Sequence, residues 1–312
     1  PVGACRVCLV ELQGARSLVA SCAIPAENNM VVETRTDRVL AARKLSVELL
    51  LTQGHHNCIT CESSGDCVLQ DLVYSLGIDT PRFGEPETRM ELEDANEMIV
   101  RDMNKCVLCG LCVRACSEIQ VNQVLDYSGR GPTASVGPAF GERYEHSDCV
   151  FCGECMRVCP VGALFEKQGR FQGRAGDLRK VRTTCGYCGV GCQMDLNVRN
   201  GQVVKVTTPR EGAPAPNNGS LCIKGRFGYD FVGHKDRLKK PMVRVDGELR
   251  EVGWDEAITY VADRLSAIRK EHGPDAIAGL ASARCTNEEN FLFQKLMRAV
   301  IGTNNVDHCA RL

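Results

Sequence analysis

Aromatic side chains are scarce in this chain of 312 residues: one Trp, six Tyr and nine Phe, or 5%. So few large rings give thin cores to the two or three domains expected at this length. Neither sign of charge is in excess. Lys and Arg number 38 against 39 Asp and Glu, net −1, which leaves no strong field to draw in nucleic acid or an anionic membrane. No apolar run reaches the ~18 residues of a membrane span; the longest candidate, Leu45–Leu51, is too short. What is abundant is cysteine, with 20 residues. Secreted disulfide scaffolds are short, and these cysteines bunch at metal-ligand spacing. They read as metal ligands in a reducing compartment, the cytoplasm.

Pattern divides the chain. Residues 1–34 predict a β-hairpin, with Val7, Leu9 and Leu12 leading into Gly14 and Leu18-Val19-Ala20 returning. Residues 38–53 predict a helix capped by Asp37, with Val39, Leu40, Leu45, Leu49 and Leu50 as its apolar face. A cysteine-bearing loop and a short helix, Val68–Leu76, complete a unit over 35–84. Residues 85–97 hold six Asp/Glu and read as a solvated connector. Residues 98–170 carry two similar Cys-rich runs around an irregular insert at 117–148. Over 178–240, Met194, Leu196 and Val198 alternate up to Asn200-Gly201, a type I′ hairpin signal. A second hairpin turns at Asp246-Gly247 within 242–252. From Trp254 the text becomes helix (Asp255–Lys270), strand (Ala276–Ala281) and helix (Asn287–Val300), so 241–312 opens an α/β domain.

The strongest motif is the pair Cys106-x2-Cys109-x2-Cys112-x3-Cys116 and Cys149-x2-Cys152-x2-Cys155-x3-Cys159-Pro160. This is the two-cluster ferredoxin spacing. Three cysteines on one tight loop hold three corners of a cubane, and the fourth points to the neighbouring cluster. Cys106, Cys109, Cys112 and Cys159 are therefore expected on one [4Fe–4S], and Cys149, Cys152, Cys155 and Cys116 on the other. Zinc, the alternative for such thiols, favours paired C-x2-C sets. Cys185-x2-Cys188-x3-Cys192 with Cys222 suits a further [4Fe–4S], with zinc again as the alternative. Gly186, Gly189 and Gly191 are expected to let its backbone wrap close. Cys58-x2-Cys61-x5-Cys67 follows His55 and His56; three thiolates and one imidazole can hold a fourth [4Fe–4S], and His55 is the expected ligand. Cys5, Cys8 and Cys22 are one short of a [2Fe–2S] set, the fourth ligand being expected upstream of Pro1. Cys285 and Cys309 have no partners at ligand spacing and read as buried small hydrophobes.

These texts carry a resemblance. "PVGACRVCLVE", "GHHNCITCESSGDCVLQDL" and the two ferredoxin runs resemble the electron-input module shared by the large iron–sulfur subunit of respiratory complex I, iron-only hydrogenases and some formate dehydrogenases. In that family a His usually stands four residues before the first Cys of the His/Cys3 site; here that position is Gly54. From Val181 onward, "TTCGYCGVGC", "GSLCIKGRFGYDF", "GWDEAI" and "SARCTNEEN…VIGTNNVDHCARL" resemble molybdopterin oxidoreductases, formate dehydrogenase alpha subunits most closely. The fold this implies is α+β and multi-module: part of a β-grasp [2Fe–2S] ferredoxin, the His/Cys3 module, a two-cluster ferredoxin, a molybdopterin oxidoreductase cluster domain and the start of the pterin-binding α/β domain.

The resemblance also implies chemistry. It points to a Mo- or W-bis(molybdopterin guanine dinucleotide) cofactor, formate as substrate, and Lys224 as an electron relay between the Cys185 cluster and the pterin. Electrons would leave for a flavin- and NAD-binding iron–sulfur subunit, or for a hydrogenase or ferredoxin partner. A complex I subunit, an iron-only hydrogenase and an assimilatory nitrate reductase are the rivals. The Cys185 set, Lys224 and "NVDHCARL" are read as arguing against the first. In formate dehydrogenases, text resembling "NVDHCARL" is followed by the metal ligand, selenocysteine or cysteine, and then a catalytic His. A selenocysteine directly after Leu312 is therefore expected, and the chain without it is expected to be inactive.

Overall fold

The computed structural model describes residues 3–87, 89–210 and 212–309. The expected first hairpin is β1 (Leu9–Leu12) against β2 (Val19–Ala20), with Gly14 at positive φ in the turn; β3 (Val32–Glu33) joins the other edge of β1. α1 (Asp37–Leu51) follows. Its cap is Thr36 rather than Asp37: the Thr36 Oγ1 accepts from the Val39 N–H at 3.3 Å. Asp37 lies in the first turn, where its charge suits the helix dipole. The buried face also differs from expectation. Val39 and Val47 lie about two turns apart and face the core, whereas Leu40, Leu45 and Leu49 are exposed. Glu48 is buried instead, with Arg82 donating to its carboxylate. α2 (Val68–Ser75) then packs on α1.

The acidic stretch is not simply solvated. Glu93 bridges Arg101, and its carboxylate accepts from the Arg101 Nε at 2.7 Å and from the Tyr144 N–H at 3.0 Å. β4 (Ile99–Arg101) leads into the first cysteine run. The two runs are conformational copies. Leu108 and Phe151 have φ of 50° and 49°, and Gly110 and Gly153 have φ of 72° and 74°. Each Gly starts a short helix, α3 (Leu111–Arg114) in the first run. The insert is more regular than expected, because β5 (Asp126–Ser128) pairs with β6 (Ser135–Gly137). α4 (Glu154–Val158) is the second copy's helix, and β7 (Leu164–Glu166) returns antiparallel to β4.

β8 (Arg179–Thr184), β9 (Gln193–Arg199) and β10 (Gln202–Thr207) form an antiparallel meander. Asn200 and Gly201 both have positive φ, as a type I′ turn requires. α5 (Ile223–Phe227) starts directly after Cys222. β11 (Met242–Val245) and β12 (Glu248–Glu251) turn at Asp246-Gly247, again both at positive φ. α6 (Trp254–His272), β13 (Gly279–Ser282), α7 (Asn287–Lys295) and β14 (Val306–Cys309) follow. Residues 274–276 form a 3-10 turn, so the expected strand starts later than Ala276. β13 and β14 are parallel with α7 between them, the α/β grammar the sequence predicted. The largest core joins Val47 of α1, Leu69 of α2, Ile99 of β4, Tyr144, Cys155, Cys159 and Phe227 of α5. The cysteine runs and the following domain therefore share one interior. Among the described residues, no helix is long and apolar enough to cross a membrane.

Candidate metal centres

The structure brings Cys106, Cys109 and Cys112 together with Cys159, not with Cys116. These four thiols line one void with Met103, Val136, Tyr144 and Leu164. The Cys106 thiol is pushed up to about 12, mainly by burial and in part by the Cys159 and Cys109 thiols. Burial also raises Cys109, Cys112 and Cys159. Cys116 lies instead with Cys149, Cys152 and Cys155: burial raises all three of those, Cys149 to about 11, and Cys116 adds to each by charge repulsion. Backbone N–H groups aim at the sulfurs in both sets, Leu108 to Cys106 at 3.3 Å, Val124 to Cys116 at 3.3 Å and Phe151 to Cys149 at 3.4 Å. The fully buried Tyr144 hydroxyl lies 3.9 Å from the Cys155 Sγ. Such thiols resist ionisation alone. They become thiolates when cationic iron offsets their mutual repulsion.

The third set lines a cavity of about 390 Å³ with Cys58, Cys61 and Cys67, and the imidazole facing it is His56. His55, the ligand expected from the sequence, has its Nδ1 2.9 Å from the Glu85 carboxylate. His56 is held through the Leu50 backbone, and burial pushes its pKa down, helped by the charges of His55 and Lys105. Its Nε2 is buried without a hydrogen-bond partner. A neutral imidazole with a free ring nitrogen beside three thiols is the donor set a metal group requires. Position 54 is closed to any side chain: a Cβ on Gly54 would stand 2.1 Å from the Asn104 carbonyl oxygen. The same carbonyl accepts the His55 N–H at 2.6 Å. The cavity abuts the first void, since a Cβ on Gly162, three residues after Cys159, would meet the Cys61 Sγ at 2.5 Å.

Cys185, Cys188, Cys192 and Cys222 also converge. Burial raises Cys185, as do the Cys222 and Cys188 thiols, while Lys224 opposes the rise. Burial raises Cys192, with Cys185, Cys188 and Cys222 adding to it. The Cys185 N–H donates to the Cys192 carbonyl at 2.7 Å, closing the loop. Of the three glycines expected to wrap it, only Gly191 has positive φ; Gly186 has open space around it. In the fourth set Cys8 and Cys22 meet. Burial opposes ionisation of Cys8, but hydrogen bonds from Cys22 and Ser21 outweigh it and lower its pKa. Cys5 lies close enough to act on Cys109. Cys285 is half-buried rather than buried, and the side chain of Cys309 lies outside the described residues. Among the described residues, no three or more His, Cys, Asp or Glu side chains close round a point that one ion could occupy.

Sequence reasoning missed the charged groups between these sets. Arg226 follows Cys222 within "KGRF", and its guanidinium is buried against the second cysteine run. Its place in a short helix behind a ligand was the only signal.

Residues 1–37 match a 2Fe-2S iron–sulfur cluster binding domain, 43–82 the NADH-ubiquinone oxidoreductase-G iron–sulfur binding region and 105–163 a 4Fe-4S dicluster domain. Residues 178–234 match the molybdopterin oxidoreductase Fe4S4 domain and 237–312 molybdopterin oxidoreductase. Residues 178–312 therefore carry the text of the molybdopterin oxidoreductase family. The chain carries an NADH-G-type iron–sulfur module in front, and is a multi-module iron–sulfur electron-transfer region of such an oxidoreductase. All of it aligns at 36% identity with the alpha chain of an NADPH-Fe(3+) oxidoreductase of Geobacter sulfurreducens, and at 37% with an NADH-quinone oxidoreductase component of Rhizobium meliloti. It aligns at 32% with a Staphylococcus aureus protein provisionally named a formate dehydrogenase. The chain spans only about 36% of the length of the first two. Among solved structures it resembles a chain of an NAD+-reducing [NiFe]-hydrogenase at 34% identity and a TM-score of 0.51, covering 56% of this chain and 74% of that one.

Proposed function

We propose that this chain is the electron-carrying part of a formate dehydrogenase alpha subunit. Cys106/Cys109/Cys112/Cys159, Cys149/Cys152/Cys155/Cys116 and Cys185/Cys188/Cys192/Cys222 each hold a [4Fe–4S]. His56 with Cys58, Cys61 and Cys67 holds a fourth, and Cys5, Cys8 and Cys22 contribute to a [2Fe–2S]. These groups supply one-electron storage and transfer, and a Mo- or W-bis-pterin supplies the two-electron oxidation of formate to CO2. The chain's own residues hold the thiolates and exclude water with Tyr144, Val136 and Leu164. They also set the sulfur charge through the N–H groups of Leu108, Val124 and Phe151. A flavin- and NAD-binding iron–sulfur subunit is the proposed electron-accepting partner.

The observation that carries the reading is Lys224. Its ammonium acts on Cys185 from the helix that begins at the Cys222 ligand. A cation there serves a chain whose electrons continue past that site to a further redox group. The second reading, an electron-transfer subunit of complex I type, rests on the full-length match to the Rhizobium protein. The Cys185 set and the closing text do not separate the two, because that alignment runs through both. The test is the complete enzyme under anaerobic conditions. Formate-dependent dye reduction is expected. NADH- or NADPH-driven cluster reduction with no response to formate would sink the reading in favour of the second; nitrate reduction would point to another molybdenum enzyme.

A further inference from the structure

The two cysteine-bearing regions meet at one buried ion cluster. Arg226 is 3% exposed and Glu154 is 1% exposed. Arg226 rides on α5, whose N-cap is Cys222, and its N–H donates to the Cys222 carbonyl at 3.0 Å. Its side chain runs the other way, into the second cysteine run. The Nε donates to the Cys152 carbonyl at 2.9 Å, and the Nη2 donates to the Glu154 Oε1 at 3.3 Å. Arg157 donates to the other oxygen of Glu154 at 2.8 Å. The second run is shaped around this guanidinium. A Cβ on Gly153 would stand 2.1 Å from the Arg226 Cδ, so only glycine between Cys152 and Glu154 admits the side chain.

We propose that Arg226 is the positioning residue that couples the site of Cys149, Cys152, Cys155 and Cys116 to that of Cys185, Cys188, Cys192 and Cys222. One side chain is tied by backbone to a ligand of the second site and by hydrogen bond to the carbonyl of a ligand of the first. It therefore fixes their separation, on which electron transfer depends steeply. Its charge has a second effect. A cation buried beside thiolates, in a medium that screens poorly, favours the reduced, more negative state of a group held there. Glu154 acts in the opposite sense, and Arg157 tempers it. The proposal rests on the ligand assignments given above.

The test uses full-length enzyme reconstituted anaerobically, with iron content and EPR-monitored redox titration as readouts. Arg226→Met should shift the midpoint potential of the Cys149-type cluster downward. Glu154→Gln should shift the same potential upward, and the double variant should fall between them. Opposite shifts at one cluster would not arise from general loosening of the fold. Arg226→Lys keeps the charge but cannot span both acceptors. It should leave the potential near that of the unsubstituted protein and slow electron equilibration between the two clusters after pulse reduction. If Arg226→Met does not fold, Glu154→Gln and Arg226→Lys carry the decision alone. Normal cluster content with an unmoved potential in Glu154→Gln and unslowed equilibration in Arg226→Lys would overturn the proposal. An unsubstituted protein without reducible iron would overturn the ligand assignments, and the proposal with them.

Discussion

The ferredoxin-like pair and the Cys185 set both gather thiols four to a site but expose them differently. In the pair, Cys155 and Cys159 are buried and the other six are half-buried. In the Cys185 set only Cys185 is buried, and Cys188 and Cys222 are exposed. The pair achieves its burial by exchange, each loop lending its last cysteine to the other, so that each set of four thiols draws on both loops. The Cys185 set hangs between a strand turn and the start of α5, and among the described residues the contact of the Gly189 N–H with the Ala283 carbonyl, 3.2 Å, is what ties that turn to the α/β part. Exchange of ligands thus builds a dry site inside a small domain, whereas ligands gathered at a surface depend on what is packed over them.

The largest effect should come from breaking the exchange. Cys159→Ser is expected to remove the cluster of Cys106, Cys109 and Cys112 and leave that of its own loop neighbours. Cys116→Ser should do the reverse. Iron analysis and EPR on reconstituted protein decide it, and loss of the local cluster in either variant would refute the exchange. A smaller effect separates the two histidines. His56→Ala should cost the His/Cys3 cluster or change its EPR signal, because it removes the unpartnered Nε2 facing the cavity. His55→Ala should leave the signal in place, while it removes the contact to Glu85.

The histidines also mark where sequence was informative and where it was not. Cysteine spacing is a covalent constraint, so the grouping that the structure shows for the thiols was legible from Cys-x2-Cys periods. The turns at Asn200-Gly201 and Asp246-Gly247 were legible for the same local reason. The choice between His55 and His56 was not, because it depends on Asn104, distant in sequence. Its carbonyl crowds Gly54 and takes the His55 N–H, so the backbone ahead of both rings is held by a residue far along the chain. The face of α1 was misread likewise: Leu45 and Leu49 satisfy a helical period, but the core lies on the side of Val39 and Val47. Arg226 was invisible because the Cys152 carbonyl and Glu154 that receive it come from another domain.

Protonation sharpens the comparison by a further, smaller step. The Cys106 thiol is raised from 9.0 to about 12, and Cys149 from 9.0 to about 11. A thiol raised on folding stabilises the metal-free fold below its unfolded value, and that stability is lost as pH climbs through the folded value. The metal-free protein should therefore weaken between pH 9.0 and about 12. The iron-loaded protein, whose thiolates have already lost their protons, should not follow it over that range. Iron uptake should release protons and become more favourable as pH rises. Anaerobic denaturant titrations of both forms across the range check this; parallel curves would show that thiol burial does not govern the pair.

The smallest effect concerns the exposed set. Three glycines lie in its loop, and they do not carry equal constraints. Gly191 has φ of 72°, a conformation that a side chain disfavours. A Cβ on Gly186 meets nothing within 4 Å, and its φ is not positive. Gly191→Ala should therefore destabilise by about 1 kcal/mol. Gly186→Ala should change stability by less than about 0.5 kcal/mol, as substitutions at unconstrained surface positions do. Thermal unfolding of the two variants side by side measures the difference. The contrast would disappear if the loop were rebuilt round its cluster, because iron–sulfur bonds would then set the backbone at both positions. Equal destabilisation in the iron-loaded protein, with the predicted difference in the metal-free one, would mean that this surface site takes its shape from its metal. The buried pair, shaped by its own core, should show no such dependence when Gly110→Ala and Gly153→Ala are compared in the two forms.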